Sequence, residues 1–273
     1  MTVVERTEVL VPGPAEALAG LLGVDVPDLS AGLPLLWHTV YLLDRPSQDL
    51  LGPDGHPMEG GMPTPPRPGL RRMFAGGRVR TIRVLRCGEP ATRRTRIVGS
   101  VEKSGRTGSL TFVTVAHEIA QRGSVVVTEQ QDIVYRSPSS ATTRQAAATT
   151  VDAGPPAGSD WLVRPTPTLL FRYSALTYNA HRIHYDRDYA HDVEGYPGLV
   201  VHGPLQALLM AEAARRVKGD PAVNQSFEYR MHAPLFDADP LWVRVVQESA
   251  GQVTSVHDAA GARTAAGRMQ ALR

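Results

Sequence analysis

The chain has 273 residues, 42% hydrophobic and 21% charged, with a net charge of +2, the composition of an ordinary folded protein able to bury a real core. No apolar run approaches the roughly 18–20 residues that cross a bilayer, and Glu5, Arg6 and Glu8 interrupt the N-terminus where a secretory signal needs an apolar stretch, so no membrane partner is expected. The single cysteine, Cys87, excludes an intrachain disulfide framework and fits a reducing compartment, with the cytoplasm as the expected location.

In chain order, residues 14–23 read as a helix. Residues 46–69 follow, with twelve Gly or Pro among 24 positions. Such a segment cannot form a regular element and is read as a loop walling a substrate channel. Strands are expected near 78–87, 93–104, 108–120 and 124–135, from the alternation of Val79 to Val84 and the β-branched run Thr111 to Val115. Eleven arginines crowd the stretch from Arg67 to Arg106. They read as solvated strand faces or as a phosphate-attracting patch. No nucleic acid is expected, because there are only five Phe in the chain and no binding motif. Residues 137–159, small, polar and rich in Ala, Thr, Ser and Pro, read as a linker between residues 1–136 and 160–273.

In the second part a helix is expected near 203–217, followed by strands near 226–232, 241–248, 253–257 and 264–271. Leu205, Leu208 and Leu209 fall at helical spacing, Pro204 suits the first turn, and Gly219 is placed to end the helix. A helix followed by an antiparallel meander thus occurs twice, which places the chain in the α+β class. The backbone N–H groups at Gly203 are unpaired donors at the positive end of a helix, suited to an oxygen acquiring negative charge.

The densest polar cluster is FRYSALTYNAHRIHYD, residues 171–186, and GLVVHGPL follows at 198–205. His184 can exchange protons at neutral pH. His181, His184 and Asp186 can also be read as metal ligands, but no cysteine accompanies them and no HExxH pattern appears, so no metal is expected. Taken singly, each histidine has a structural role as its default.

Together the two pieces resemble the MaoC-like (hydratase 2) family. Its S/T-G-D-x-N-P-I-H loop is matched at Ile183-His184, and its HG helix start at His202-Gly203. The wider phrase resembles the subgroup of mesaconyl-CoA and itaconyl-CoA hydratases and hydroxyacyl-thioester dehydratases. The resemblance implies a double hot-dog fold, each half a curled antiparallel sheet around a helix, with a degenerate, substrate-accommodating first half. It implies a hydro-lyase that adds or removes water at the α,β double bond of a CoA-bound or carrier-protein-bound acyl group. His184 is then the acid/base and the Gly203 N–H the oxyanion donor. The family's aspartate is replaced by Asn179, an amide that cannot accept a proton at neutral pH. Either Asn179 orients water beside His184, or Asp186 supplies the missing carboxylate.

Tyr173, Ser174, Thr177 and His202 are candidate substrate contacts, and Arg172 or Arg182 is the candidate partner for a second substrate carboxylate. Arg67, Arg71, Arg72, Arg78 and Arg80 are candidates for the CoA phosphates. No cofactor is expected beyond the CoA or phosphopantetheine of the substrate, and a homodimer is allowed. A catalytically inactive thioester-binding protein and a hot-dog thioesterase are the competing readings.

Overall fold

A computed structural model describes residues 2–58, 63, 66–67, 69–105, 108–137, 160–219 and 223–272. The linker expected at 137–159 lies, apart from Ser137, outside the described residues. Strand β1 (Val3–Val9) leads into helix α1 (Pro12–Leu22), which starts on Pro12 and ends where Gly23 turns left-handed at φ 66°. Four long strands follow: β2 (Arg71–Thr81), β3 (Pro90–Gly105), β4 (Gly108–Gln121) and β5 (Ser124–Arg136).

The second part opens with β6 (Trp161–Val163) and α2 (Pro167–Thr177), then a single 3-10 turn at Arg182–His184. Helix α3 (Gly203–Lys218) and strands β7 (Gln225–Met231), β8 (Leu241–Glu248), β9 (Gly251–His257) and β10 (Arg263–Ala271) complete it.

All ten strands form one antiparallel sheet in the order β1-β3-β4-β5-β2-β7-β10-β9-β8-β6. The two meanders join where β2 pairs with β7, Gly76 opposite Arg230 through Thr81 opposite Gln225. Helix α3 lies against β2, β7, β8, β9 and β10. Leu205, Leu208, Leu209 and Met210 are all buried, as expected of a helix wrapped by a sheet, and the N–H of Gly219 closes the helix on the Arg215 carbonyl. Among the described residues no helix is long and apolar enough to cross a membrane.

Three expectations need correction. The strand placed at 78–87 runs from 71 to 81, because Gly76 and Gly77 are built into it, whereas Ile82 and Arg83 leave the ladder to share the Val126 carbonyl. Strands β1 and β6 were not anticipated. Nor was α2, although Thr166 caps it by accepting from the Leu169 N–H and Pro167 fills its first position.

Strand β2 carries a bulge that decides which of its side chains face inward. Phe74 pairs with Ile133, but Gly76 pairs with Asp132, so Ala75 is an extra residue. Past the bulge the buried residues Val79 and Thr81 face the core; before it Arg72 and Phe74 do, opposite the buried Tyr135 and Ile133. Gly76 is required here. Its φ is 151°, and a Cβ would lie 2.4 Å from the Tyr229 carbonyl oxygen.

The core also holds a polar group. His38 Nε2 lies 3.1 Å from Glu129 Oε2, Gln131 donates to the other carboxylate oxygen, and His117 bonds to Thr95 on the next strand. Burial disfavours the Glu129 charge, but the His38 hydrogen bond and the fields of His38 and His117 outweigh it and hold the carboxyl down to about 2.

Candidate active site

Helix α2 ends at Tyr178, whose left-handed backbone (φ 53°) turns the chain sharply, and the Asn179 N–H closes the turn on the Ser174 carbonyl. The next residues wind into the 3-10 turn that carries His184. That turn is tied to the approach of α3: the Val200 N–H donates to the Ile183 carbonyl at 2.9 Å, and His184 Nδ1 donates to the Val200 carbonyl at 2.7 Å. The 198–200 segment is in turn held by Asp237, which accepts from the Leu199 N–H at 2.9 Å and pairs with Arg187. Two segments separated in sequence are thereby locked side by side.

A carbonyl oxygen can only accept, so the His184 Nδ1 carries the proton and Nε2 is the free lone pair. Burial pushes the His184 imidazole down to about 3, only partly offset by the Val200 bond, so it is neutral at physiological pH. The His202 ring stacks on it at 3.6 Å between centroids and 19° between planes. His202 Nε2 bonds Ser174 Oγ at 2.8 Å, while among the described residues its buried Nδ1 has no hydrogen-bond partner. His202 is also the residue from which α3 starts. Among the described residues no hydrogen bond from the Gly203 N–H is seen, as expected for the first turn of a helix. A Cβ at Gly203 would lie 2.8 Å from the Phe74 ring, so glycine is the residue that lets Phe74 close over the helix start.

The Gly/Pro-rich segment contributes directly to this site. Residues 51–57 form a tight loop closed by a Leu51–Pro57 bridge. The loop is pinned across the two halves: the Arg182 N–H donates to the Asp54 carbonyl and the Arg182 guanidinium to the Pro53 carbonyl. Gly55, at φ 87°, packs so closely that a Cβ would lie 1.8 Å from the Ala180 carbonyl oxygen. Asp54 Oδ2 accepts from His56 Nδ1 at 3.2 Å, and the His56 ring lies 4.1 Å from the His181 ring, which sits edge-on to His184 at 5.3 Å. Burial lowers the pKa of both His56 and His181; Asp54 stays below its ordinary value because the His56 contact outweighs its own burial.

The residues expected at the site divide into two sets. His184, His202, Ser174, Tyr173 and Gly203 come together, with Tyr173 buried edge-on against His202 at 4.8 Å. Asn179 lies at the turn, its side-chain oxygen accepting from the His181 N–H. Asp186 is placed elsewhere: its carboxylate is held by Arg182 at 2.7 Å and by the Tyr189 N–H. Thr177 bonds back to the Tyr173 carbonyl. Arg182 lies over the Tyr189 ring and pairs with Asp186, and Arg172 is exposed on the side of α1, so neither arginine faces the histidines. Of the arginines proposed for phosphates, Arg71 is taken by Glu194 and Arg78 by Gln130 and Asp132, while Arg67 pairs with Glu102 on the surface.

Asp54, His56 and His181 have the composition of a metal-ligand set, with one atom from each within 4.8 Å of the others. Asp54 and His56 already satisfy each other, however, and the positive field of Arg72 falls on both histidines, which opposes a cation there. The loop pair Asp54–His56 carried no periodic or motif signal. Its one visible trait was a glycine between two polar residues.

The family described as hydroxyacyl-thioester dehydratase type 2 matches residues 36–237. The mesaconyl-C(4)-CoA hydratase of Chloroflexus aurantiacus is 51% identical over 217 residues, covering 78% of this chain and 75% of that protein. HtdX of Mycobacterium tuberculosis superposes with a TM-score of 0.71 at 16% identity, over 99% of this chain and 100% of that one. A second M. tuberculosis protein, described as a double hot-dog, superposes at 0.59 and 18% identity, over 99% and 95% of the two chains. The fold is a double hot-dog, and the chain belongs to the hydroxyacyl-thioester dehydratase type 2 family, whose members are hydro-lyases.

Proposed function

We propose that this enzyme adds water to the α,β double bond of a short acyl-CoA thioester, or removes it in reverse, with His184 as the proton-transferring group. The observation that carries the reading is the Nδ1 bond from His184 to the Val200 carbonyl, which leaves Nε2 as a fixed, neutral base beside the start of α3. In the hydration direction His184 Nε2 takes a proton from water and the water oxygen bonds to the β-carbon. The π electrons move through the α-carbon onto the thioester oxygen. The Gly203 N–H, at the positive end of α3, stabilises that enolate oxygen. The proton on His184 is then delivered to the α-carbon as the enolate collapses, and the imidazole is restored. Asn179 orients rather than deprotonates.

The likeness to a mesaconyl-C(4)-CoA hydratase supports a small dicarboxylic acyl group over a long chain. A second reading is favoured by the Asp54–His56 hydrogen bond, which would make His56 the base and Asp54 the carboxylate that position 179 lacks. The test is product mass across a panel of CoA esters, with His184→Ala and His56→Ala beside the wild type. A mass change of one water supports the reading, free CoA thiol would identify a thioesterase, and no change a binding protein. Loss of turnover in His184→Ala but not in His56→Ala selects His184 as the base.

A further inference from the structure

We infer that Arg72 is the anion-recognition residue of this site, placed by the β2 bulge to hold a second carboxylate on the acyl group of the substrate. The inference rests on the enoyl-thioester reading above and names its substrate class. Were Ala75 a regular member of the ladder instead of a bulge, strict alternation back from Val79 would turn Arg71 inward and Arg72 outward. With the bulge, Arg72 shares a face with Phe74, whose ring covers Gly203, and stands opposite Tyr135, whose hydroxyl donates to the Pro63 carbonyl.

The two neighbouring arginines are used differently. Arg71 is satisfied by the Glu194 carboxylate at 2.9 Å and by the Val193 and Glu194 carbonyls. Arg72 is half-buried and, among the described residues, makes no hydrogen bond or ion pair. Its positive field nevertheless reaches Asp54, His56, His181 and Tyr135, which sets it at the histidine cluster, and burial lowers its pKa from the ordinary guanidinium value. A partly desolvated guanidinium with unused donors is a strong, two-pronged partner for a carboxylate. Asp54 does not take that role, since it is bonded to His56 through both carboxylate oxygens, one to the ring and one to the backbone N–H.

The chemistry fits a β-carboxylated enoyl thioester. A carboxylate on the carbon that receives water would lie beside the groups that hold the water. Its pairing with Arg72 would fix which face of the double bond meets His184. A neutral enoyl ester would leave Arg72 unpaired in the closed site.

The test compares kcat/KM for mesaconyl-CoA and for crotonyl-CoA, which lacks the second carboxylate. In the wild type the dicarboxylic ester should be preferred. In Arg72→Gln the ratio of the two values should fall by about 10²-fold, as expected when one partner of a desolvated charge pair is removed. An equal loss on both esters, or no change in the ratio, overturns the assignment. Should Arg72→Gln fail to fold, Arg72→Met keeps the apolar stem without the charge and is judged by the same ratio. If the wild type turns over neither ester, the hydratase reading fails by itself. Calorimetric binding of the two esters then tests Arg72: a preference for the dicarboxylic ester lost in the variant supports it, and no preference overturns it.

Discussion

At the level of single residues, the chemistry proposed above depends on His184 being neutral, a state that its burial favours. The free-base form of an ordinary imidazole with a pKa near 6.5 would fall about 25-fold between pH 7 and pH 5. With His184 pushed down to about 3, kcat/KM should change by less than about threefold over that range. A pH–rate profile at fixed ionic strength measures this, and a limb near 6.5 would show that another group is the base. His184→Ala should lower kcat by at least about 10²-fold in a protein that still melts cooperatively. Asn179→Asp is informative in the opposite direction. It restores the family's carboxylate, but the Asn179 side-chain oxygen accepts from the His181 N–H, a bond that Asp can also make. The variant should therefore fold and remain active. Much of this set was legible from sequence, because Ile183-His184 and His202-Gly203 are local motifs. Asp54, His56 and Arg72 were not, since they reach the site through a loop and a bulge that periodicity does not reveal.

At the level of elements, the site is built where segments are pinned by backbone contacts instead of by long side chains. Gly55 is the clearest case. Gly55→Ala would force a Cβ to within 1.8 Å of the Ala180 oxygen and place a side chain at φ 87°, so the loop must withdraw from the 179–184 segment. The strain corresponds to about 1–3 kcal/mol. Urea unfolding should show a lowered midpoint at unchanged slope, and turnover should fall with it. A variant as stable as the wild type would mean that the loop rests elsewhere in solution. Helix α3 was readable from its Leu spacing and its Pro and Gly boundaries. Helix α2 was not legible, although Thr166-Pro167 is an ordinary start signal, because the face it buries sets Tyr173 and Ser174 beside Leu170 and so shows little apolar periodicity. Strand β2 was displaced for a related reason: Gly76-Gly77 looks like punctuation, yet both glycines make room for the Tyr229 backbone and ring inside the sheet.

At the level of the whole molecule, the interior holds several histidines whose neutral form is favoured by burial. Burial lowers the pKa of His56, His117, His181, His184 and His202, with His117 near 4 and His184 near 3. In the unfolded chain each protonates near 6.5, so the unfolded state binds more protons as pH falls. The stabilisation is complete above about 6.5 and is lost progressively below it. From pH 6.5 to 5, His117 and His184 alone account for roughly 3 kcal/mol. Glu129 adds a second loss lower down: its carboxyl sits near 2 when folded, so its contribution is present above the ordinary carboxylate range and disappears as pH falls toward 2. Denaturant titrations at stepped pH should show this two-stage decline. A stability flat from pH 7 to 5 would mean that these rings are open to water.

The seam between β2 and β7 has a consequence for how the protein is proofread. Side chains on a strand change faces with every one-residue slip, and here the seam register and the Ala75 bulge together decide whether Arg72 and Phe74 look into the site or away from it. A chain that paired its two halves one residue out of step would still be a sheet, and could still be compact. It would nonetheless present Arg71 and Met73 to the candidate site, leave Glu194 without its partner, and uncover the start of α3. Turnover in this enzyme is therefore also a readout of strand registration: a molecule that works has, by that fact, been assembled in phase.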